Sequence, residues 1–479
     1  MTYIGLDLGT SSLKAILIDD DQQVLAEHTV AMTVGRPREG WSEQDPQQWF
    51  DATAQAIQAL GQTADVSGVR GIGLSGHMHG ATVVDAADKV LRPCILWNDT
   101  RSSAEAAALD GDPKFRDLSG NIVFAGFTAP KVAWIKNNEP DIFAKIAKIL
   151  LPKDYLRLML IGDHVAEMSD AAGTSWLDVA KRDWSDELLL ATGLDRRHMP
   201  RLIEGSEISG TLRDTLASQW GLPKRVVVAG GGGDNAASAI GAGVVNSGDA
   251  FVSLGTSGVL FAASDAYQPD AGSAVHTFCH AVPDTWHQMG VILAATDALN
   301  WLSRLTGQSA VELTADLGPL KAPSRTLFLP YLGGERTPHN DTTIRGQFLH
   351  LDHATDAREA ARAVLEGVTF AFADCHAALK STGTTIERAL AMGGGAKSDY
   401  WLQAIATTLN IPLMVPKTGD FGAALGAARL AIMAVTGVGV EVATLPPIAK
   451  TVDPDTALQS AFTDTHARYR AAYVSLKDL

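Results

Sequence analysis

The sequence predicts an α/β protein built by internal duplication. Three observations carry that reading. Apolar β runs alternate with long segments of helical periodicity along the chain. The tetrapeptide Leu-Gly-Thr-Ser occurs at 8–11 and again at 254–257, each time between two β runs. Two further glycine clusters, at 230–233 and 393–395, each follow an apolar run and lead into a helical one.

The elements follow in order. Residues 3–6 and 13–18 flank a Gly/Thr/Ser turn and predict a hairpin, and the β pattern resumes at 24–26. Apolar positions at helical spacing predict a helix over 49–60, and 69–74, 81–84 and 226–229 read as short buried strands. Residues 250–254 and 259–262 repeat the hairpin pattern. Helices are predicted over 357–382, 400–409 and 423–436. Segment 444–456 contains prolines and is expected to be a loop ahead of a C-terminal helix. The repeat spacing of about 246 residues sets a boundary near Asn246, dividing the chain into 1–246 and 247–479.

Composition excludes several classes. At 479 residues, with ~150 per domain, the chain holds two or three domains. With 46% apolar and 19% charged residues it can build a core and is not a disordered chain. Lys plus Arg number 39 against 54 Asp plus Glu, a net charge of −15, which argues against a nucleic-acid backbone as partner. A small anionic ligand, held by a few amides or one metal, remains compatible. Cys94, Cys279 and Cys375 lack CxxC spacing, so neither a disulfide framework nor a cysteine zinc site is expected. The N-terminus has no basic leader pattern and no segment reaches the ~20 apolar residues of a membrane span. The expectation is a soluble cytoplasmic protein without nucleic-acid or membrane partners.

Several familiar motifs fail. There is no G-x-x-x-x-G-K-[ST] and no H-E-x-x-H. Gly71-x-Gly73-x-x-Gly76 has the letters of a dinucleotide fingerprint but leads into another β run rather than a helix. His77 and His79 are expected on one side of a strand. They, like His276, Cys279 and His280, lack supporting ligands at metal-site spacing.

The Gly-Thr-Ser turns are more informative. Small residues let backbone amides approach an anion and hydroxyls add donors. Thr10, Ser11 and Lys14 in the first copy, and Gly255, Thr256 and Ser257 in the second, are candidate phosphate contacts. Asp7, just ahead of the first turn, either holds a magnesium ion facing the phosphates or caps an ordinary hairpin. Asp234, at the end of Gly230–Gly233, is either a helix N-cap or a general base in a cleft. Gly394, Gly395 and Lys397 suit phosphate or adenosine contact through backbone. His79 is a candidate polar contact to substrate. Trp97-Asn98-Asp99-x-Arg101 combines an aromatic face with polar groups, as sugar sites do and as buried loop anchors also do.

Taken together, Asp7-Leu-Gly-Thr-Ser-Ser12, the glycine run ending in Asp234-Asn235, Leu254-Gly-Thr-Ser-Gly258 and Gly393-Gly-Gly-Ala-Lys-Ser398 resemble the FGGY carbohydrate kinases in order and spacing. Segment 126–138 resembles the family's first signature, and 41–46, 76–80, 91–99, 151–156 and 330–338 resemble its branch that acts on D-xylulose. The likeness spans at least 3–435. His77 stands where that branch usually carries Gln, and His350 and Ala360 depart from the second signature, around 346–366.

The resemblance implies two ribonuclease-H-like α/β domains of the actin and sugar-kinase type, with an interdomain active-site cleft. It implies sugar binding by the N-terminal domain and nucleotide binding by the C-terminal one. The implied reaction is ATP-dependent phosphorylation of D-xylulose at its C5 hydroxyl. Asp234 would be the base and Asp7 would orient Mg2+. Met78, His79, Trp97, Asp234 and Asn235 would line the sugar, and the two turns with Gly394, Gly395 and Lys397 would hold ATP. A homodimer is the family-level expectation. The alternatives are a kinase for another pentulose, 1-deoxy-xylulose or a polyol, a non-catalytic sugar sensor, and a nucleotide-driven assembly protein. The base candidate and the phosphate turns weigh against a sensor, and the His77-Met78-His79 segment, Trp97 and Asp234 weigh against an assembly protein.

Overall fold

Each Leu-Gly-Thr-Ser turn sits at the heart of a mixed sheet. In the computed structural model, which describes residues 1–419 and 422–478, β1 (Thr2–Leu8) and β2 (Ser12–Asp19) form an antiparallel hairpin. β3 (Val24–Ala31) extends it at the edge, and β4 (Val69–Gly76) pairs with β1 in parallel. Beyond β4 lie β6 (Val227–Ala229) and then β5 (Ile208–Thr211), giving the order β5-β6-β4-β1-β2-β3, while β7 (Gly232–Gly233) also pairs with β4.

The second sheet repeats the arrangement. β8 (Asp249–Leu254) and β9 (Gly258–Ser264) form the hairpin, β10 (His276–Cys279) and β11 (Trp286–Ile292) continue beyond β9, and β12 (Arg388–Met392) pairs in parallel with β8. β13 (Leu413–Pro416) and β14 (Ile448–Val452) complete it. β14 corrects the loop expected over 444–456. Pro446 and Pro447 stand ahead of the strand and Pro454 after it, so none of the three interrupts the ladder that β14 makes with β13 at the sheet edge.

The chain divides into two compact units, discontinuous in sequence. The first comprises Met1–Val245, Phe278–Trp286 and Asp420–Leu445, and the second Asn246–Thr277, His287–Gly419 and Pro446–Leu479. In the first unit α1 (Gln47–Thr63) packs on the hairpin, burying Trp49, Ile57 and Leu60 with Leu6, Leu13, Leu17 and Leu74. α2 (Thr128–Asn138) reaches the loop after β4 through Lys131, and α3 (Pro152–Ile161) and α4 (Asp234–Ala242) pack against β4. In the second unit α5 (Thr296–Thr306), α6 (Ala357–Ser381) and α7 (Asp399–Leu409) bury Leu302, Val364, Val368, Phe372 and Ile405 with Val252 and Leu260.

α8 (Ala423–Thr436) belongs to the first unit although it lies late in the chain. It lies so close to the sheet that a Cβ at Gly5 would stand 1.9 Å from the Ala424 carbonyl oxygen, and one at Gly73 1.7 Å from that of Ala427. Among the described residues no helix is long and apolar enough to cross a membrane.

Candidate active site

Asp7 is the penultimate residue of β1, followed by the buried Leu8 and then the turn. Its neighbour in register on β4 is Ser75, whose hydroxyl donates to Asp7 Oδ1 at 3.1 Å. Asp7 is half-buried, and desolvation raises its carboxyl above the usual range against the lowering effects of the Ser75 bond and of Lys14. Asp234 is the first helical residue of α4, and Gly233 occupies the N-cap. The helix-cap alternative is thereby excluded. Its Oδ1 accepts from the Asn235 N–H at 2.7 Å and the Asn235 amide at 3.0 Å. Desolvation, with the Asp7 charge second, pushes its carboxyl up to about 7. A raised carboxyl is a stronger proton acceptor when ionised, which favours general-base work.

The residues around Asp234 pack without slack. Gly231 has φ +78°, and a Cβ there would lie 2.0 Å from the Leu74 carbonyl oxygen, so only glycine fits. A Cβ at Gly233 would press on Met78 Cγ at 3.0 Å. Met78 is buried; His79 has φ 70°, donates through Nδ1–H to the Gly173 carbonyl at 2.7 Å, and stacks on Phe127 with ring centroids 4.5 Å apart. β4 ends at Gly76, so His77 and His79 do not share a strand face as the alternation suggested. His77 turns inward, edge-on to Trp49, and burial with the nearby Lys131 charge lowers its pKa to about 3, keeping the ring neutral.

The first turn is held from three sides. Gln44 Nε2 donates to the Thr10 carbonyl at 3.1 Å, Met32 N to that of Ser11 at 2.8 Å, and Trp97 Nε1 to the Thr10 hydroxyl at 3.0 Å. Trp97 is nevertheless 48% exposed, leaving most of its ring face open. The Lys14 ammonium is paired with Glu27 at 2.7 Å near the surface.

In the second unit the Gly255-Thr256-Ser257 turn rests on the start of α5: the Gly255 carbonyl accepts from Thr296 N at 2.9 Å and Thr296 Oγ1 at 2.7 Å, and that of Thr256 from Ala295 N at 2.8 Å. The Thr256 and Ser257 side chains are exposed. Gly393, at φ +84°, lets the chain turn beneath Leu254, and Gly394–Lys397 forms a 3-10 turn ahead of α7. Gly394, Gly395 and Lys397 border a cavity of about 690 Å³ whose walls also include Thr296, Leu299, Asn300, Val311 and Tyr400. A Cβ at Gly394 would meet nothing within 4 Å, so its backbone faces open space. That volume and mixed lining suit a nucleoside-sized ligand.

Sequence reasoning missed the residues that hold these loops. Lys131 is fully buried, donates to the carbonyls of His79 at 2.8 Å and of Gly126, and burial lowers its pKa to about 7. Thr128 Oγ1 donates to the same His79 carbonyl at 3.2 Å. Both lie in 126–138, the segment that resembles the first family signature, so their signal was present without its mechanical meaning.

Residues 2–241 match the N-terminal domain, and residues 250–435 the C-terminal domain, of the FGGY family of carbohydrate kinases. The chain is 47% identical over 482 residues to the xylulose kinase of Escherichia coli (strain K12), covering 100% of this chain and 99% of that one. It is similar to the crystal structure of a "xyloylose kinase" from Brucella ovis, with TM-score 0.98 and 57% identity over 99% of both chains. It is also similar to the xylulose kinase from Rhodospirillum rubrum, with TM-score 0.93 and 29% identity over 99% of both.

Proposed function

This chain belongs to the FGGY family of carbohydrate kinases, and from that premise we propose that it transfers the γ-phosphoryl group of ATP to the C5 hydroxyl of D-xylulose. The observation that carries the reading is Asp234, a carboxylate raised to about 7 at the end of a glycine run beside Asp7. The near full-length likeness to a xylulose kinase supports the choice of sugar.

In this reading Met78, His79, Trp97 and Asn235 orient the sugar so that its terminal hydroxyl faces Asp234. As the hydroxyl oxygen attacks the γ-phosphorus, its bond to hydrogen breaks and the proton passes to Asp234. The bond to the β,γ-bridging oxygen breaks and ADP departs. The proton moves late, when the hydroxyl has become acidic, so a carboxylate suffices as acceptor. Thr10 and Ser11, with Gly255, Thr256 and Ser257, donate to phosphate oxygens. Gly394, Gly395 and Lys397 border the nucleoside.

Asp7 fits a magnesium ion. It has no cation within ion-pair distance among the described residues, and no cluster of three protein ligands exists among them. Magnesium is commonly held by one or two carboxylates, with phosphates and waters filling the remaining positions. When bound, the ion supplies charge neutralisation at the phosphates. Dependence on ATP puts the enzyme in the cytoplasm, where three buried, unpaired cysteines are at home.

The test is an ADP-release screen with pentuloses, 1-deoxy-xylulose, hexuloses, polyols and glycerol as acceptors. D-xylulose should give the highest kcat/KM, with the product phosphorylated at C5 by phosphorus NMR. A higher kcat/KM for another acceptor would replace the sugar assignment.

A further inference from the structure

We propose that Ser169 and Arg157 are positioning residues that seat the Asp234 carboxylate by anchoring the two ends of the glycine run preceding it. The inference rests on Asp234 being the base. Four consecutive glycines cannot pack themselves through side chains and have the widest backbone freedom of any sequence. A base must nevertheless be held to a fraction of an ångström.

The middle of the run is registered by β4, where Gly232 pairs with Ser75 and Gly233 with Gly76. Ser75 is the residue that also bonds Asp7. The ends are held by side chains from elsewhere in the first unit. Arg157 donates through Nη2 to the Gly230 carbonyl, while its Nη1 donates to Asp154 at 2.7 Å and to the Val165 carbonyl at 2.6 Å. The Gly233 N–H, at the cap of α4 where no helical carbonyl reaches it, donates to Ser169 Oγ at 3.0 Å.

The polarity of that last bond is fixed. Glu167 accepts the N–H of Ser169 and of Asp170 and lies 2.8 Å from Ser169 Oγ. A carboxylate accepts only, so the hydroxyl proton points at Glu167 and a lone pair remains for Gly233. Lys153 ties both anchors together, 2.8 Å from Asp154, 3.3 Å from Glu167 and 3.1 Å from Asp170. All six side chains are fully buried, so nothing in solvent can replace their bonds. Residues 153–157 and 167–170 thereby act on a catalytic carboxylate they do not touch.

The test measures kcat, KM for D-xylulose and thermal midpoint for Ser169→Ala, Arg157→Lys and Asp234→Asn, from about pH 5.5 to about 9. Ser169→Ala should lower kcat by about tenfold to a hundredfold while KM stays within about threefold. It should also move the acidic limb of the kcat profile to lower pH, because a loosened carboxylate is better solvated. Arg157→Lys, which keeps a donor for Gly230, should fall between it and the parent. Lower thermal midpoints with unchanged kcat and an unchanged acidic limb would overturn the proposal, leaving these residues a purely structural role. A fully active Asp234→Asn would overturn the base assignment and this proposal with it. An inactive Asp234→Asn beside a normal Ser169→Ala would overturn this one alone. If Ser169→Ala does not fold, hydrogen exchange of the parent decides: amides of 230–233 should be protected like those of β4, and exchange at exposed-loop rates refutes the anchoring.

Discussion

Replacing Asp234 by Asn should make the protein more stable and nearly inactive at the same time. The folded environment raises the carboxyl to about 7, through desolvation first and the Asp7 charge second. The unfolded chain returns it to about 3.9. Between those values the folded state holds a proton that the unfolded state has released, so stability falls as pH rises from about 4 to about 7 and is level above. Each tenfold change in proton affinity is worth about 1.4 kcal/mol, so the ionised group disfavours folding by at most about 4 kcal/mol at pH 8. About 2–3 kcal/mol of that develops between pH 5 and pH 8. Asn has no charge to desolvate and keeps an oxygen for both Asn235 bonds. Its advantage over the parent should therefore grow across that interval by about 5 °C in Tm. At pH 8 kcat should fall by about 10²–10⁴-fold, with sugar Kd altered far less. Paired melting curves at the two pH values, with turnover and calorimetric sugar titration on the same preparations, supply the measurements. A Tm difference that does not change with pH, or an active variant, would refute the argument.

Asp7→Ala should reduce kcat by about a hundredfold or more while D-xylulose still binds in a calorimeter; normal turnover at saturating magnesium would remove Asp7 from the reaction. Gly394→Val should raise KM for ATP about tenfold at unchanged Tm, because its side chain projects into the open cavity. Gly395→Val should instead lower stability by about 1–3 kcal/mol, since a Cβ there already lies 2.8 Å from Leu254 and Trp401; equal effects from the two variants would contradict the cavity assignment. Lys153→Met should destabilise by about 3–5 kcal/mol, because it leaves the buried Asp154, Glu167 and Asp170 without the cation they share; a loss below about 1 kcal/mol would mean that the ammonium is not what holds the cluster.

Much of the fold was legible because its cues are local. The Gly-Thr-Ser turns between β runs gave both hairpins, and the periodicity over 423–436 matches α8 residue for residue. Where α8 packs was not legible. Its contact with the sheet depends on Gly5 and Gly73 lacking side chains, and a glycine in a strand is equally consistent with a bulge or a ligand approach. β14 was hidden because an edge strand with little buried surface loses the apolar alternation that marks a strand. Asp7 and Asp234 could be singled out since each adjoins a glycine turn. Ser169 and Arg157 could not, because their bonds to Gly233 and Gly230 join positions 64 and 73 residues apart.

The duplication also shows how one arrangement can serve two ends of a reaction. In both sheets a hairpin closed by Gly-Thr-Ser runs beside a parallel strand, β4 in one and β12 in the other. The residue before the shared leucine is Asp7 in the first copy and Ser253 in the second. The parallel strand opens into His77-Met78-His79 in the first and Gly393-Gly394-Gly395 in the second. Bulky side chains fill the space after β4, His77 turned inward onto Trp49 and Met78 set against Gly233. Glycines after β12 leave it empty, and the 690 Å³ cavity borders that turn. A carboxylate at position 253 would set a negative charge beside a turn whose amides and hydroxyls suit an anion. The acid is therefore useful in only one copy, the one whose neighbouring strand also seats Asp234.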